Sequence, residues 1–392
     1  MNRLDLSHVD ELIRRALDDF GFPAAQYALA HDMQMIASSS FGDADDSSRF
    51  TIFSASKPLF ASLILKLIGD GHLTLKTRVS ELWPEFAAHG KDAITIEHLL
   101  LFTAGIPEWW PVEPEIHDRE ARRRQAEQLT LSWEPGEATA YHPLSAHWVL
   151  AEIVQIVTGS DYREVFRRQI TGPLGLPRLE LGVAEEDPSG PLPVAKLGRP
   201  RPEVVRIMQG VEVTAEQLDA QDDMALAISN NRSVVAAGVP GGGMVSDAAS
   251  VALFYQHLIH DPGRLWSSEL RRSATSEIRN PLPEEPRSGA AANRTIGCLL
   301  VSGDEPADIS VPELNLRISA RHHGEKVSAA TFGHGGAGGQ IAFADPQRGV
   351  SFAYLTNGFN RNYVADLRRS QELIDAVIDA VDAAQGAEGT TA

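Results

Sequence analysis

Cysteine is almost missing from this chain: its 392 residues hold one, Cys298. A lone thiol cannot close an internal disulfide, so nothing points to an oxidising compartment. Cys298 sits in the apolar stretch TIGCLLV. It lacks the electropositive surroundings that favour a thiolate and reads as buried core filler. Basic residues are also scarce: lysine and arginine total 35 against 53 aspartates and glutamates, a formal charge of −18. Phosphate binding needs clustered cations, so this balance argues against a nucleic-acid partner. No run approaches the roughly 18 uninterrupted apolar residues of a membrane span. The opening MNRLDLSHVDELIRRALDDFGF is a charge-laced amphipathic helix without the apolar region of a secretory signal. The expectation is a cytoplasmic protein with no membrane partner. Gly-x-Ser-x-Gly is absent, which removes one common serine-nucleophile design. His-Glu-x-x-His is absent too, and the adjacent His322 and His323, read as part of a strand, point to opposite faces. Neither a metal nor a cofactor is expected.

What is present organises into strands at both ends and helices between. AAQYALAH and MQMIASSSFG read as two strands joined by a polar turn at His31-Asp32. FSASKPLFASLILKLIGDG is apolar nearly all round, the pattern of a helix buried at the centre of the molecule, closed by Gly69 and Gly71. Further helices are expected from Thr95, a cap, to Gly105, over DREARRRQAEQL, and over LSAHWVLAEIVQIVTG. The part from Glu185 to Asn231 is rich in proline and charge and reads as an irregular, substrate-covering segment. A glycine-rich approach then leads through a Ser246 or Asp247 cap into another helix. TIGCLLVSG, LNLRISARHH, KVSAATFG, GQIAFADP and GVSFAYLTNG follow as antiparallel strands, and a last helix runs from Ala365 to Ala383. No repeat is evident, and only the final AEGTTA reads as disordered.

Three short stretches carry chemistry. In the first, Ser54 stands three residues before Lys57 at the mouth of the apolar helix, so ammonium and hydroxyl can share a face. The helix dipole favours an alkoxide there, and partial desolvation lowers a lysine pKa toward that of a base. On this stretch alone an N-cap serine with a snorkelling lysine explains the residues as well. In the second, Tyr141 follows a Pro-Gly turn and precedes a helix, a place from which a phenol reaches a cleft; packing alone also explains it. In the third, TFGHGGAGGQIAF, small residues after His334 let a substrate lie against a strand edge, or simply make a hairpin turn. Trp109 and Trp110 either line an apolar acyl pocket or plug their own loop.

Taken in this order and spacing, the stretches resemble the serine β-lactamase/penicillin-binding-protein superfamily, most of all its class C β-lactamase-related serine hydrolases and family VIII esterases. The Ser-x-x-Lys motif is Ser54-Ala55-Ser56-Lys57, followed by Pro58. The tyrosine motif falls at Tyr141-His142-Pro143, and the Lys-Thr-Gly position at His334-Gly335-Gly336. GDGHLTLKTRVSELWPEF, ITIEHLLLFTAGIPE and GGGMVSDAASVALF add to the likeness, which spans residues 20 to 380.

The resemblance implies an α+β, β-lactamase/transpeptidase-like fold. Residues 1-80 and 240-392 would form a domain around a central antiparallel sheet, residues 81-239 a mainly helical one, with the active site between them. It further implies an acyl-enzyme on Ser54, proton work shared by Lys57 and Tyr141, and an oxyanion hole made by the amides of Ser54 and Ala337. His334, Gly335, Gly336, His142, Trp109 and Trp110 would meet the substrate. Two departures matter. Pro143 stands where the tyrosine motif normally ends in Asn or Ser, and His334, only partly charged near neutral pH, where a lysine can meet a substrate carboxylate. Both favour small or medium acyl esters, lactones or amides over penicillins. The remaining readings are a β-lactamase-like amidase or D-aminopeptidase, an acyltransferase, and a non-catalytic binding member of the fold. The oligomeric state is not legible.

Overall fold

The computed structural model describes residues 4–283, 291–303, 308–319 and 322–389. The chain opens with helix α1 (Ser7–Phe20), strands β1 (Ala24–His31) and β2 (Gln34–Gly42), and a short β3 (Phe50–Thr51). Helix α2 (Ser56–Gly69) follows, and its residues from Ser56 to Leu65 are all buried, as its continuous apolar sequence predicts. Ser54 does not cap it. The N-cap position is Ala55 and no side chain caps the helix, which excludes the plain capping account of that serine.

In the helical middle, α3 (Ile96–Leu101) starts at a Thr95 capping box, as expected. It stops at Phe102, which turns left-handed at φ 59°, and not at Gly105. Helices α4 (Arg119–Glu127) and α5 (Pro143–Thr158) follow; α5 is buried over most of its length because both its faces are apolar. The stretch expected to be irregular over 185–231 holds two helices, α6 (Pro202–Gln209) and α7 (Ala215–Asn230). The missed signal was local: Thr214 and Gln217 form a capping box whose charged, weakly periodic helix carries little hydrophobic pattern.

Strand β4 (Met244–Ser246) pairs with β3, and Asp247, not Ser246, caps helix α8 (Ala248–His260). The remaining elements of the main sheet are β5 (Leu300–Val301), β6 (Phe332–Gly333), β7 (Ile341–Asp345) and β8 (Val350–Thr356), and α9 (Tyr363–Gly389) ends the description. The stretch LNLRISARHH departs from expectation: its strand Leu316–Ser319 pairs with Asp308–Val311 in a separate hairpin. Residues 320–321 of it lie outside the described residues, as do 390–392 of AEGTTA. His322 and His323 fall in a turn, so the opposite-faces argument does not apply to them. Among the described residues no group of side chains is arranged to hold a metal, and no helix is long and apolar enough to cross a membrane.

Both chain ends meet in one six-stranded antiparallel sheet of order β2-β1-β8-β7-β6-β5. Alternation along β1 divides its faces. Ala24, Ala28 and Ala30 face the large core built on α2, α5 and α8, whereas Ala25, Tyr27 and Leu29 face α1 and α9. Gln256 of α8 fastens the first face, donating to Ala30 O at 3.1 Å and to Ser351 Oγ at 3.1 Å.

Candidate active site

Ser54 sits in a single 3-10 turn, Phe53–Ala55, between β3 and α2. Phe53 holds φ 45°, a conformation non-glycine residues rarely take, so the chain turns abruptly into the helix. Two bonds brace the turn against β4: Ile52 N–H donates to Met244 O at 3.0 Å, and Met244 N–H to Ser56 Oγ at 3.2 Å. Lys57, one turn on, is 1% exposed. A buried ammonium needs partners, and it has them: Nζ donates to Ser54 Oγ at 2.7 Å and to Gly241 O at 2.7 Å. The Gly241 carbonyl reaches that point because the residue has no side chain; a Cβ there would stand 2.7 Å from Pro143 O. Sequence reasoning took these glycines for a mere approach to α8 and missed their part in holding the lysine.

Tyr141 lies at the other side of Lys57, whose Nζ is 5.2 Å from the phenol ring centroid. Phe102 meets the ring edge-on at 5.3 Å, and His334 stacks beside it at 6.2 Å. The left-handed turn at Phe102 that ends α3 early is thus what delivers this aromatic wall.

His334 follows β6. Its backbone N–H donates to Tyr255 Oη at 3.1 Å, and its Nδ1 donates to Gly335 O at 2.7 Å. Gly336 then pairs with Gln340 through bonds of 3.0 and 3.1 Å. A Cβ on Gly336 would run into Ile52 O, two residues before Ser54, so this glycine lets the strand edge lie against the Ser54 turn. Among the described residues no acceptor takes the amide N–H of Ser54 or of Ala337.

Two other expectations fare differently. His142 is 2% exposed, donates from Nδ1 to Ala140 O at 2.7 Å and packs on Phe102. Burial pushes its pKa down to about 4. Pro143 starts α5 directly after it, and the ring lies in the core against Phe102. Trp109 donates from Nε1 to Gln125 Oε1 at 3.2 Å and helps fill a crevice with Trp83 and Trp148 between α4 and α5. Packing explains it. Trp110 is half-buried against the same core.

Three residues of the site escaped notice in the sequence. His147 of α5 is wholly buried, donates from Nδ1 to Pro143 O at 2.8 Å, and is driven down to about 3 by burial and by the Lys57 charge. It is neutral and serves as packing under Lys57. Glu108 accepts from the N–H of Leu144 at 3.0 Å, capping α5 from outside the helix. Its side chain stays open to solvent, yet crowding by the protein pushes its pKa up to about 7, against the pull of that N–H and of Lys57. Arg294 is the third, 1% exposed with its guanidinium over Phe102 and Tyr141. No short motif marks any of them.

A family model described as Beta-lactamase matches residues 9–376. The chain belongs to the β-lactamase family. Within this family it is 26% identical over 332 residues to the Esterase/beta-lactamase LipL of Mycobacterium tuberculosis, covering 78% of this chain and 68% of that one. With the Esterase EstB of Burkholderia gladioli it shares 26% identity over 330 residues, 79% of this chain and 77% of the other. The solved structure of EstA from Arthrobacter nitroguajacolicus Rue61a superposes with a TM-score of 0.74 at 24% identity, covering 96% of each chain. That likeness establishes the β-lactamase/transpeptidase-like fold.

Proposed function

We propose that the chain is a serine carboxylesterase that forms an acyl-enzyme on Ser54, acting on small or medium acyl esters. The observation that carries this reading is the 2.7 Å contact of Lys57 Nζ with Ser54 Oγ, with the Tyr141 ring on the other side of the ammonium. In the reaction, the Ser54 proton passes into the Lys57–Tyr141 pair as Oγ bonds to the ester carbonyl carbon. The carbonyl oxygen takes the negative charge and is held by the amides of Ser54 and Ala337. Collapse breaks the ester C–O bond, and the leaving alcohol receives the proton. Water, deprotonated by the same pair, then attacks the acyl carbon and releases the acid. The cleft for this chemistry lies between the sheet-bearing part, 1-80 and 240-392, and the helical part, 81-239, with Trp110 a wall of the acyl site.

Ester over β-lactam is supported by two side chains. Pro143 begins α5 and has no amide or hydroxyl to offer a substrate amide. His334 uses Nδ1 on its own neighbour's carbonyl and is no permanent cation for a carboxylate. The relative named Esterase EstB agrees with this preference, while LipL is named both esterase and beta-lactamase.

The test compares wild type and Ser54→Ala on p-nitrophenyl acetate and butyrate, with a fluorophosphonate label read by mass. Label on Ser54 and loss of turnover in the variant are expected; full turnover by Ser54→Ala rejects the mechanism. Faster cleavage of a chromogenic cephalosporin or of D-Ala amide than of the esters would move the assignment to an amidase.

A further inference from the structure

Tyr141 is surrounded by basic groups from separate parts of the chain. Lys57 approaches from α2 with Nζ 5.2 Å from the ring centroid, and His334 stacks from the end of β6 at 6.2 Å. Arg294 brings its Cζ to 5.5 Å of the same ring while lying 4.7 Å over Phe102. His142, next to Tyr141, and His147 of α5 are both neutral by burial. Glu108, at the start of α5, is the acid of this neighbourhood.

Arg294 is held firmly. Its backbone pairs with Asn280 through bonds of 3.1 and 3.2 Å. The Asn280 amide in turn donates to Leu101 O at 2.8 Å and to Thr139 Oγ1 at 2.9 Å. Those two residues immediately precede Phe102 and stand just before Tyr141, so one loop fastens the guanidinium, its aromatic platform and the phenol together. Arginine stays charged at any working pH. A guanidinium held 5.5 Å from the ring centroid favours the negative charge that builds on the phenol as it takes part in proton transfer.

We propose that Arg294 is a positioning residue that supplies a permanent positive charge at Tyr141, holding the phenol ready to act as the base for Ser54. The inference rests on Tyr141 taking part in proton transfer. Tyr141→Phe is therefore assayed alongside: if that variant keeps the wild-type rate, the role given to Tyr141 fails and with it this inference, while Ser54 labelling still judges the acyl-enzyme separately.

The experiment records kcat/KM against pH for Arg294→Met, Arg294→Gln and Arg294→Lys with a p-nitrophenyl ester. Each is made in wild type and in Glu108→Gln, so that a limb due to Glu108 is recognised. Loss of the charge is expected to raise the lower limb by about 1 pH unit and to reduce kcat/KM near neutral pH by about tenfold, with recovery at alkaline pH. Arg294→Lys should keep the limb close to its original place. An unchanged rate, or an equal loss at every pH, overturns the inference and leaves Arg294 as packing. If Arg294→Met does not fold, Arg294→Gln, which keeps polar atoms without charge, decides by the same limb.

Discussion

Lys57 Nζ stands 2.7 Å from Ser54 Oγ and equally 2.7 Å from the carbonyl oxygen of Gly241. One ammonium therefore both touches the nucleophile and ties α2 to a glycine loop far along the chain. Replacing it should separate two effects. Lys57→Met is expected to cut kcat/KM by roughly 10³-fold or more, as loss of both base and electrostatic support implies. It should also cost about 1–3 kcal/mol of stability, because the buried Gly241 carbonyl loses its donor. Lys57→Arg should not rescue activity, since a planar fork cannot replace a compact ammonium there. Ester kinetics and urea melts check both; activity retained by Lys57→Arg would contradict the geometry.

Gly336 offers a backbone test of the oxyanion site. With a Cβ against Ile52 O, the strand edge must back away from the Ser54 turn and carry the Ala337 amide with it. Gly336→Ala is expected to lower kcat by about 10²–10³-fold, the loss typical of one oxyanion donor, with KM little changed. Slower labelling of Ser54 by fluorophosphonate should accompany it.

Acid should unfold this protein through its histidines. Burial holds His142 at about 4, His147 at about 3 and His323 at about 4. All three stay neutral in the fold, whereas in the unfolded chain they protonate below about 6.5. Their stabilisation is complete above that pH and is lost as pH falls toward 4, by about 1.4 kcal/mol per pH unit for each. His323 donates from Nε2 to Leu300 O at 3.1 Å and stacks on Phe343. His323→Leu should therefore flatten the acid side of the stability curve without moving the esterase pH profile.

Glu108 titrates in the opposite sense. Its folded pKa is raised to about 7, so the fold prefers the protonated form and stability declines as pH climbs from about 4.5 to 7. Glu108→Gln removes that decline while keeping an oxygen to accept from Leu144 N–H. The melting temperature of the variant relative to wild type should rise between pH 5 and 8 and then level off. A constant difference across that range would refute the shifted carboxyl.

The residues that announce themselves in the sequence are those whose chemistry is local. Ser54 and Lys57 are one turn apart, and the apolar α2 behind them could not be anything but central. Tyr141 and the His334 glycines read clearly only as a set. Glu108 and Arg294 stayed hidden because their neighbours, Leu144 and Tyr141, are fixed by tertiary packing and by no spacing. His142, which the resemblance places at the substrate, is 2% exposed; its burial depends on packing around Phe102 that no motif spacing reveals. The helix Ala215–Asn230 is hidden because a charge-rich surface helix lacks the apolar periodicity that reveals buried ones. Cys298, conversely, was readable from its apolar surroundings; it is wholly buried, and its thiol is pushed up to about 12.

The strand register has a consequence for how activity arises during synthesis. Ala25 of β1 pairs with Thr356 of β8, and the carbonyl that steadies Lys57 comes 184 positions after Ser54. The serine and Lys57 leave the ribosome early, but the Gly241 carbonyl and the strand edge that carries the Ala337 amide are translated much later. Contacts so distant in sequence form slowly, because long loops must close before they are rewarded. On the proposed mechanism, hydrolysis is expected to begin only once β8 has paired with β1.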